Sequence, residues 1–152
     1  MQWKCLKFEQ LNVSELYEIL KLRVDTFVVE QNCPYPELDG KDTHKDVYHL
    51  IGYQDEKVIA CARLLAEGIS YDTVSIGRVA TAIDHRGGGL GHQLMQNAIE
   101  YSMKIWGEQT ITIGAQAHLE HFYQRHDFLR VSEVYLEDDI PHIDMQRNPF
   151  QE

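Results

Sequence analysis

Nothing in this sequence is apolar for long enough to cross a membrane. Its unbroken hydrophobic runs are a few residues long, against the roughly 20 that a spanning helix needs. Cysteine is scarce: Cys5, Cys33 and Cys61 are odd in number, widely spaced and without a C-x-x-C pair. That pattern excludes a disulfide framework and a thiolate metal site, and it fits reduced thiols in a cytoplasmic protein. Basic residues are few, with 14 Lys and Arg against 24 Asp and Glu and a formal net charge of -10. A nucleic-acid partner is therefore not expected, because phosphate contacts need basic patches. The acidity would suit a cationic acceptor, and ordinary solubility accounts for it as well. The start, "MQWKCLKFEQ", lacks the apolar core of a secretory signal. No Pro- or Gly-rich linker, repeat or low-complexity tract divides the chain. At 152 residues and 43% hydrophobic, it is expected to form one domain, 1–152, with a sizeable core.

What is present alternates between strand and helix patterns. "WKCLKF" (3–8) has the period of two of a strand. Asn12 with Glu15 three residues on is a capping box. Leu16, Ile19, Leu20, Val24 and Phe27 follow at helical spacing. Pro34, Pro36 and Gly40 break regular structure across 30–46. Strands are predicted at 47–53 and 57–65, joined by Gln54-Asp55-Glu56, and again at 73–81 and 110–116. Leu90, Leu94, Ala98 and Ile105 give the intervening helix its stripe. A short helix at 118–125 precedes a hairpin of 128–136 with 142–146 around Asp138-Asp139. The implied fold is α/β: a mixed, mostly antiparallel sheet flanked by helices, with one right-handed parallel crossover from 73 to 116.

The densest chemical signal is "RVATAIDHRGGGLGHQLM" (78–95). A P-loop would need Lys and Ser or Thr after the last glycine, where His92-Gln93 stand, and a dinucleotide fingerprint would need glycine where Leu94 stands. What fits is Arg-x-x-Gly-x-Gly, Arg86-Gly87-Gly88-Gly89-Leu90-Gly91, between a strand and a helix. Free N–H groups and the positive helix end make an anion site, and the missing Cβ atoms admit a diphosphate. The alternative is a flexible turn.

These residues resemble the pyrophosphate loop of the GNAT superfamily of acetyl-CoA-dependent N-acyltransferases. A second block, "AQAHLEHFYQRHDF" (115–128), is similar to that superfamily's Phe-Tyr helix. The ElaA-like subgroup is matched by "LKLRVDTFVVEQNCPYPELDGKD" (20–42), "IGRVAT" (76–81) and "YLEDDIPHIDM" (135–145). Asp127 and Asp139 stand where the family usually has glycine, and Gln116 where it often has Asn. Asp127 is compatible with a left-handed backbone. The resemblance implies a GNAT-like fold and transfer of an acetyl group from acetyl-CoA to a primary amine by direct attack. It places the pantetheine arm along Val79, Ala80 and Thr81, near Gln116, with an N–H near Val79 polarising the thioester carbonyl. It places the diphosphate on Arg86, Gly87, Gly88, Gly89, Leu90 and Gly91. Tyr123 becomes the acid for the departing thiolate, and core packing is its other reading. Glu30 and His49 are the candidates for a general base, and an ordinary surface carboxylate and a hydrogen-bonded strand histidine are their other readings.

The loop from Glu30 to Asp46 is expected to wall the acceptor site, and Glu37, Asp39 and Asp42 hint at a cationic amine. A small-molecule or peptide amine is the expected partner, and a homodimer stays open. His118, His121 and His126 read as surface histidines and no metal is expected. Cys33 matches no nucleophile motif, Cys61 reads as core, and Trp3 and Trp106 as core or edge packing. Two other functions remain. Arg23 to Phe27 repeats the Arg-x-x-x-Phe of acyl-homoserine-lactone synthases, and a non-catalytic acyl-CoA sensor could keep the fold. Retention of Tyr123 separates turnover from sensing.

Overall fold

A computed structural model describes residues 1–149. The capping box at Asn12 closes as the spacing requires. Asn12 Oδ1 accepts from the Glu15 N–H at 2.7 Å, and the Glu15 carboxylate accepts from the Asn12 N–H at 3.0 Å. It starts helix α1, Val13–Val24. The periodic pattern that reaches Phe27 does not continue as α-helix. Residues Asp25–Glu30 widen into a π-helical turn, where Thr26, Val28 and Val29 crowd the chain with β-branches.

The strands are β1 Gln2–Lys7, β2 Val47–Gln54, β3 Lys57–Leu65, β4 Val74–Thr81, β5 Ile111–Gln116, β6 Leu129–Arg130, β7 Tyr135–Glu137 and β8 Ile140–Arg147. They form one sheet in the order β1-β2-β3-β4-β5-β8-β6, with β7 also paired to β8. Among the described residues only β4 and β5 run parallel. The crossover between them is helix α2, Leu90–Trp106. The β2–β3 hairpin turns on Asp55 and Glu56, both at positive φ, the geometry of a tight primed turn. Trp3 lies across Gly52 so closely that an added Cβ there would sit 2.7 Å from the indole.

Each sheet face carries its own core. Leu94, Met95 and Ala98 of α2 are fully buried against Leu50, Leu64, Ile113 and Met145. Ile19 and Leu22 of α1 pack on Ile51, Cys61 and Ala80 from the other side. Each such side chain contributes about 1.5–3 kcal/mol on burial.

The C-terminal region departs from the sequence pattern. The single strand predicted at 128–136 is two pieces, β6 and β7. Ser132 interrupts it, because its hydroxyl takes the Asp144 N–H at 2.8 Å. The turn between β7 and β8 falls at Asp138-Asp139, as the sequence predicts. Both residues adopt left-handed φ, 50° and 63°, and Asp127 does so at 69°. These are conformations that Asp tolerates better than most residues. The short helix predicted at 118–125 is a 3₁₀ turn, Ala117–Leu119, followed by α3, Glu120–Gln124.

Candidate active site

The site begins where the parallel pair fails. β4 and β5 stay together only at Val74–Ile111 and Ser75–Thr112. Beyond that point β4 keeps β3 as its neighbour, with a register slip between the pairs Cys61–Ala80 and Arg63–Gly77. The bulge is taken up at Arg78, whose φ of 49° is left-handed. Ion pairing holds it there: Arg78 Nε donates to Glu37 Oε2 at 2.8 Å and Nη2 to the Glu37 carbonyl at 3.1 Å. Among the described residues Arg78 and Val79 have no ladder partner on either side. A cleft of about 800 Å³ opens there, lined by Val79, Ala80, Thr81, Gln116 and Tyr123 among others.

The glycine run sits just past the mouth of this cleft. Gly87 and Gly89 have φ of 92° and 83°, and Gly89 caps α2 with no side chain on the orphaned first-turn N–H groups. By helix geometry those donors have no intrahelical acceptor. No acid lies in that turn. A Cβ at Gly87, Gly88 or Gly89 would meet nothing within 4 Å, so the loop backbone is open to a ligand. Gly91 instead makes room for a neighbour, since a Cβ there would lie 3.4 Å from the Phe122 ring. Leu90, the first residue of α2, is buried in the core.

Arg86 lines the cleft but is engaged. Nη1 and Nη2 donate to the two Glu30 carboxylate oxygens at 2.6 and 2.8 Å, and Nη2 also to the Thr81 carbonyl at 2.8 Å. Hydrogen bonding from Arg86 holds the Glu30 carboxyl below its ordinary range, which makes it a weak proton acceptor. His49 is not in the cleft. It is 2% exposed, its Nε2 pairs with the Asp42 carbonyl at 3.0 Å, and burial holds its imidazole below the usual range. His49 is thus a hydrogen-bonded strand histidine out of reach of the cleft, not the base that the sequence offered.

Tyr123 stands differently. It is 8% exposed, packed edge-on to Phe122 and Phe128, and it lines the cleft. Its hydroxyl has no hydrogen-bond partner among the described residues. Burial pushes the phenol up to about 12, so it is protonated at neutral pH and available as a donor. Gln116 Nε2 donates to Gln31 Oε1 at 3.2 Å across the same opening.

The acids of the 30–46 loop are not free for a cationic amine. Arg23, 1% exposed, donates through Nε to Glu37 at 2.6 Å and through Nη1 to Asp42 at 2.7 Å. Arg63 grips Asp39 with both terminal nitrogens, at 2.9 and 2.8 Å. Three guanidiniums, Arg23, Arg63 and Arg78, thus neutralise Glu37, Asp39 and Asp42. The sequence carried a signal for this: Arg23 falls on the buried stripe of Ile19 and Leu22. The bulge at Arg78 carried none. His126 is half-buried rather than on the surface, sharing a hydrogen bond of 2.9 Å with His92.

A family model for the acetyltransferase (GNAT) domain matches residues 18–149. The chain belongs to the GNAT acetyltransferase family. It is 43% identical over 151 residues to the protein ElaA of Escherichia coli K12, covering 99% of each chain. The crystal structure of that ElaA superposes with a TM-score of 0.91, covering 97% of this chain and 99% of the other. An acyl-CoA N-acyltransferase from Pseudomonas aeruginosa superposes with the same TM-score at 46% identity, over 96% and 98%. An aminoglycoside 6'-N-acetyltransferase complexed with coenzyme A shares the fold at a TM-score of 0.75 and 13% identity, over 100% of this chain and 99% of that one. The mixed sheet, its lone parallel pair and the flanking helices are thus the GNAT fold, and the family's chemistry is acyl transfer.

Proposed function

We propose that this GNAT protein transfers an acetyl group from acetyl-CoA to a primary amine by direct attack. The observation that carries the reading is the splay of β4 from β5, with the unpaired segment Arg78-Val79 in the gap. Unpaired backbone groups there can bond an extended pantetheine arm as a missing strand would. The Val79 N–H can polarise the thioester carbonyl. The orphaned N–H groups behind Gly89 then take the diphosphate. Tyr123 supplies the proton that the departing thiolate needs. A free phenol in that place favours turnover over sensing.

Gly88 is the residue for the test. Gly89 has left-handed φ, so any side chain there strains the backbone whatever it does to a ligand, whereas Gly88 has neither a positive φ nor a near neighbour. Calorimetry on Gly88→Val should show CoA and acetyl-CoA binding weakened at least tenfold, with the melting temperature unchanged. Unchanged CoA affinity in that folded variant would remove the diphosphate from this loop.

A further inference from the structure

The amine's proton still lacks a receiver, since Glu30 is held by Arg86 and His49 lies outside the cleft. We propose that His142 is the general base for the acceptor amine and that Glu137 beside it holds the amine's positive charge. The inference rests on the acyltransferase reading above. His142 sits on β8 opposite Gln116, four residues past the last β4–β5 pair at Thr112, on the edge of the open cleft. It is only 9% exposed, yet it lines the cleft together with Glu137 and Asp138.

The tautomer follows from its partner. His142 Nδ1 lies 2.7 Å from the Ile140 carbonyl, which can only accept, so Nδ1 carries a proton, and in the neutral imidazole Nε2 is the nitrogen that carries the lone pair. Nε2 is 3.6 Å from Glu137 Oε2, and the ring stacks on Tyr135 at 6.1 Å. Glu137 and Tyr135 touch it, Asp138, Tyr71, Cys33 and His118 line the cleft with it, and Asp144 lies two residues along β8. Asp144 accepts from the Tyr71 and Tyr135 hydroxyls at 3.0 and 2.7 Å, and the Cys33 thiol contacts the Asp138 carbonyl at 3.4 Å. Unlike Glu37, Asp39 and Asp42, these acids pair with no Lys or Arg among the described residues. A cation from outside completes this side of the cleft.

The two faces of the gap then divide the work. Tyr123 belongs to the core on the α2 face, with Ile113 and Ala115. His142 shares the opposite face with Gln116, since β8 residues Ile143 and Met145 point into the core. The ammonium gives one proton to His142 Nε2, which passes it to solvent past exposed Glu137. The neutral nitrogen forms the new N–C bond as the C–S bond breaks and sulfur leaves with its electron pair. Tyr123 protonates the sulfur. The nitrogen's second proton restores the phenol through solvent, so each turnover releases one net proton.

His142→Asn keeps an N–H for the Ile140 carbonyl and deletes only the basic nitrogen. With the amine that the wild type acetylates fastest, kcat/KM at neutral pH should fall about 10²–10⁴-fold, with CoA affinity unchanged. The loss should shrink as pH rises toward the amine's own pKa, where bulk water deprotonates it. Parallel pH profiles for the two proteins would overturn the assignment while leaving the acyltransferase reading intact. Glu137→Gln is the second variant, expected to raise KM for a cationic amine about tenfold, and an unchanged KM would overturn its role. A wild-type chain that releases no thiol with any amine overturns both readings.

Discussion

At the residue scale, function turns on a few side chains whose neighbours decide what they can do. The sequence allows two readings of Tyr123, and the structure supplies the fact that separates them: a buried phenol with no partner. A purely structural tyrosine would have its hydroxyl satisfied. Tyr123→Phe is therefore expected to lower kcat about 10²–10⁴-fold while the melting temperature holds. Steady-state rates and a melting curve on the same sample make the comparison. A rate within twofold of wild type would return Tyr123 to the core. Glu30 gives the converse prediction. Its carboxylate is committed to Arg86, so Glu30→Gln should leave kcat nearly unchanged. It should tighten CoA binding by no more than about fivefold, because a half-exposed ion pair is weak. A large fall in kcat would make Glu30 the base in place of His142.

At the scale of elements, the loop after α1 is held by charge rather than by apolar packing. Arg23 on α1 and Arg63 on β3 fix Glu37, Asp39 and Asp42 against the sheet, and Arg78 joins them from the bulge. Removing Arg23 strips Glu37 and Asp42 of their most buried partner and leaves them only the ion pairs of Arg78 and Arg63. Arg23→Met is expected to cost about 3–5 kcal/mol in chemical denaturation. The same network sets an acid limit. Burial alone would raise the carboxyls of Asp39 and Asp42, but the hydrogen bonds of Arg63 and Arg23 overcome it and hold both below the usual range. Depressed carboxyls stabilise the fold above their unfolded value of about 3.9 and lose that contribution as pH falls through the folded one. These carboxylates add no slope between neutral pH and about pH 5. There the buried His49 and half-buried His126, both held low, cost some stability as pH falls below about 6.5, and the larger loss follows below about pH 5. A denaturation series across that range checks it, and a stability that stays level below about pH 5 would contradict the sign. Element type was largely legible because the patterns are clear: the apolar runs of β2 and β3 around their polar turn and the stripe of α2 fall where the sequence places them. The π-helical turn at Asp25–Glu30 and the break at Ser132 were not legible. Both depend on long-range hydrogen bonding or side-chain crowding rather than on local period.

At the scale of the whole molecule, the sheet is two antiparallel halves joined at a two-residue seam. The glycine run makes the anion end of the site legible in the sequence, because its reason is local: backbone without side chains at a helix start. The other end is silent. His142 and Gln116 meet only through the β5–β8 register, and the loop acids look available until three arginines from three elements close on them. A reading of charge along the chain sees the acids and misses their partners. The central claim is that the seam is built for acetyl transfer to nitrogen. The most direct measurement incubates the wild-type protein with acetyl-CoA and a panel of primary amines, following thiol release and weighing the products by mass spectrometry. Direct transfer predicts free CoA and an N-acetylated amine in equal amounts for at least one member of the panel. Thiol release matched by free acetate, with no amine acetylated, would contradict it.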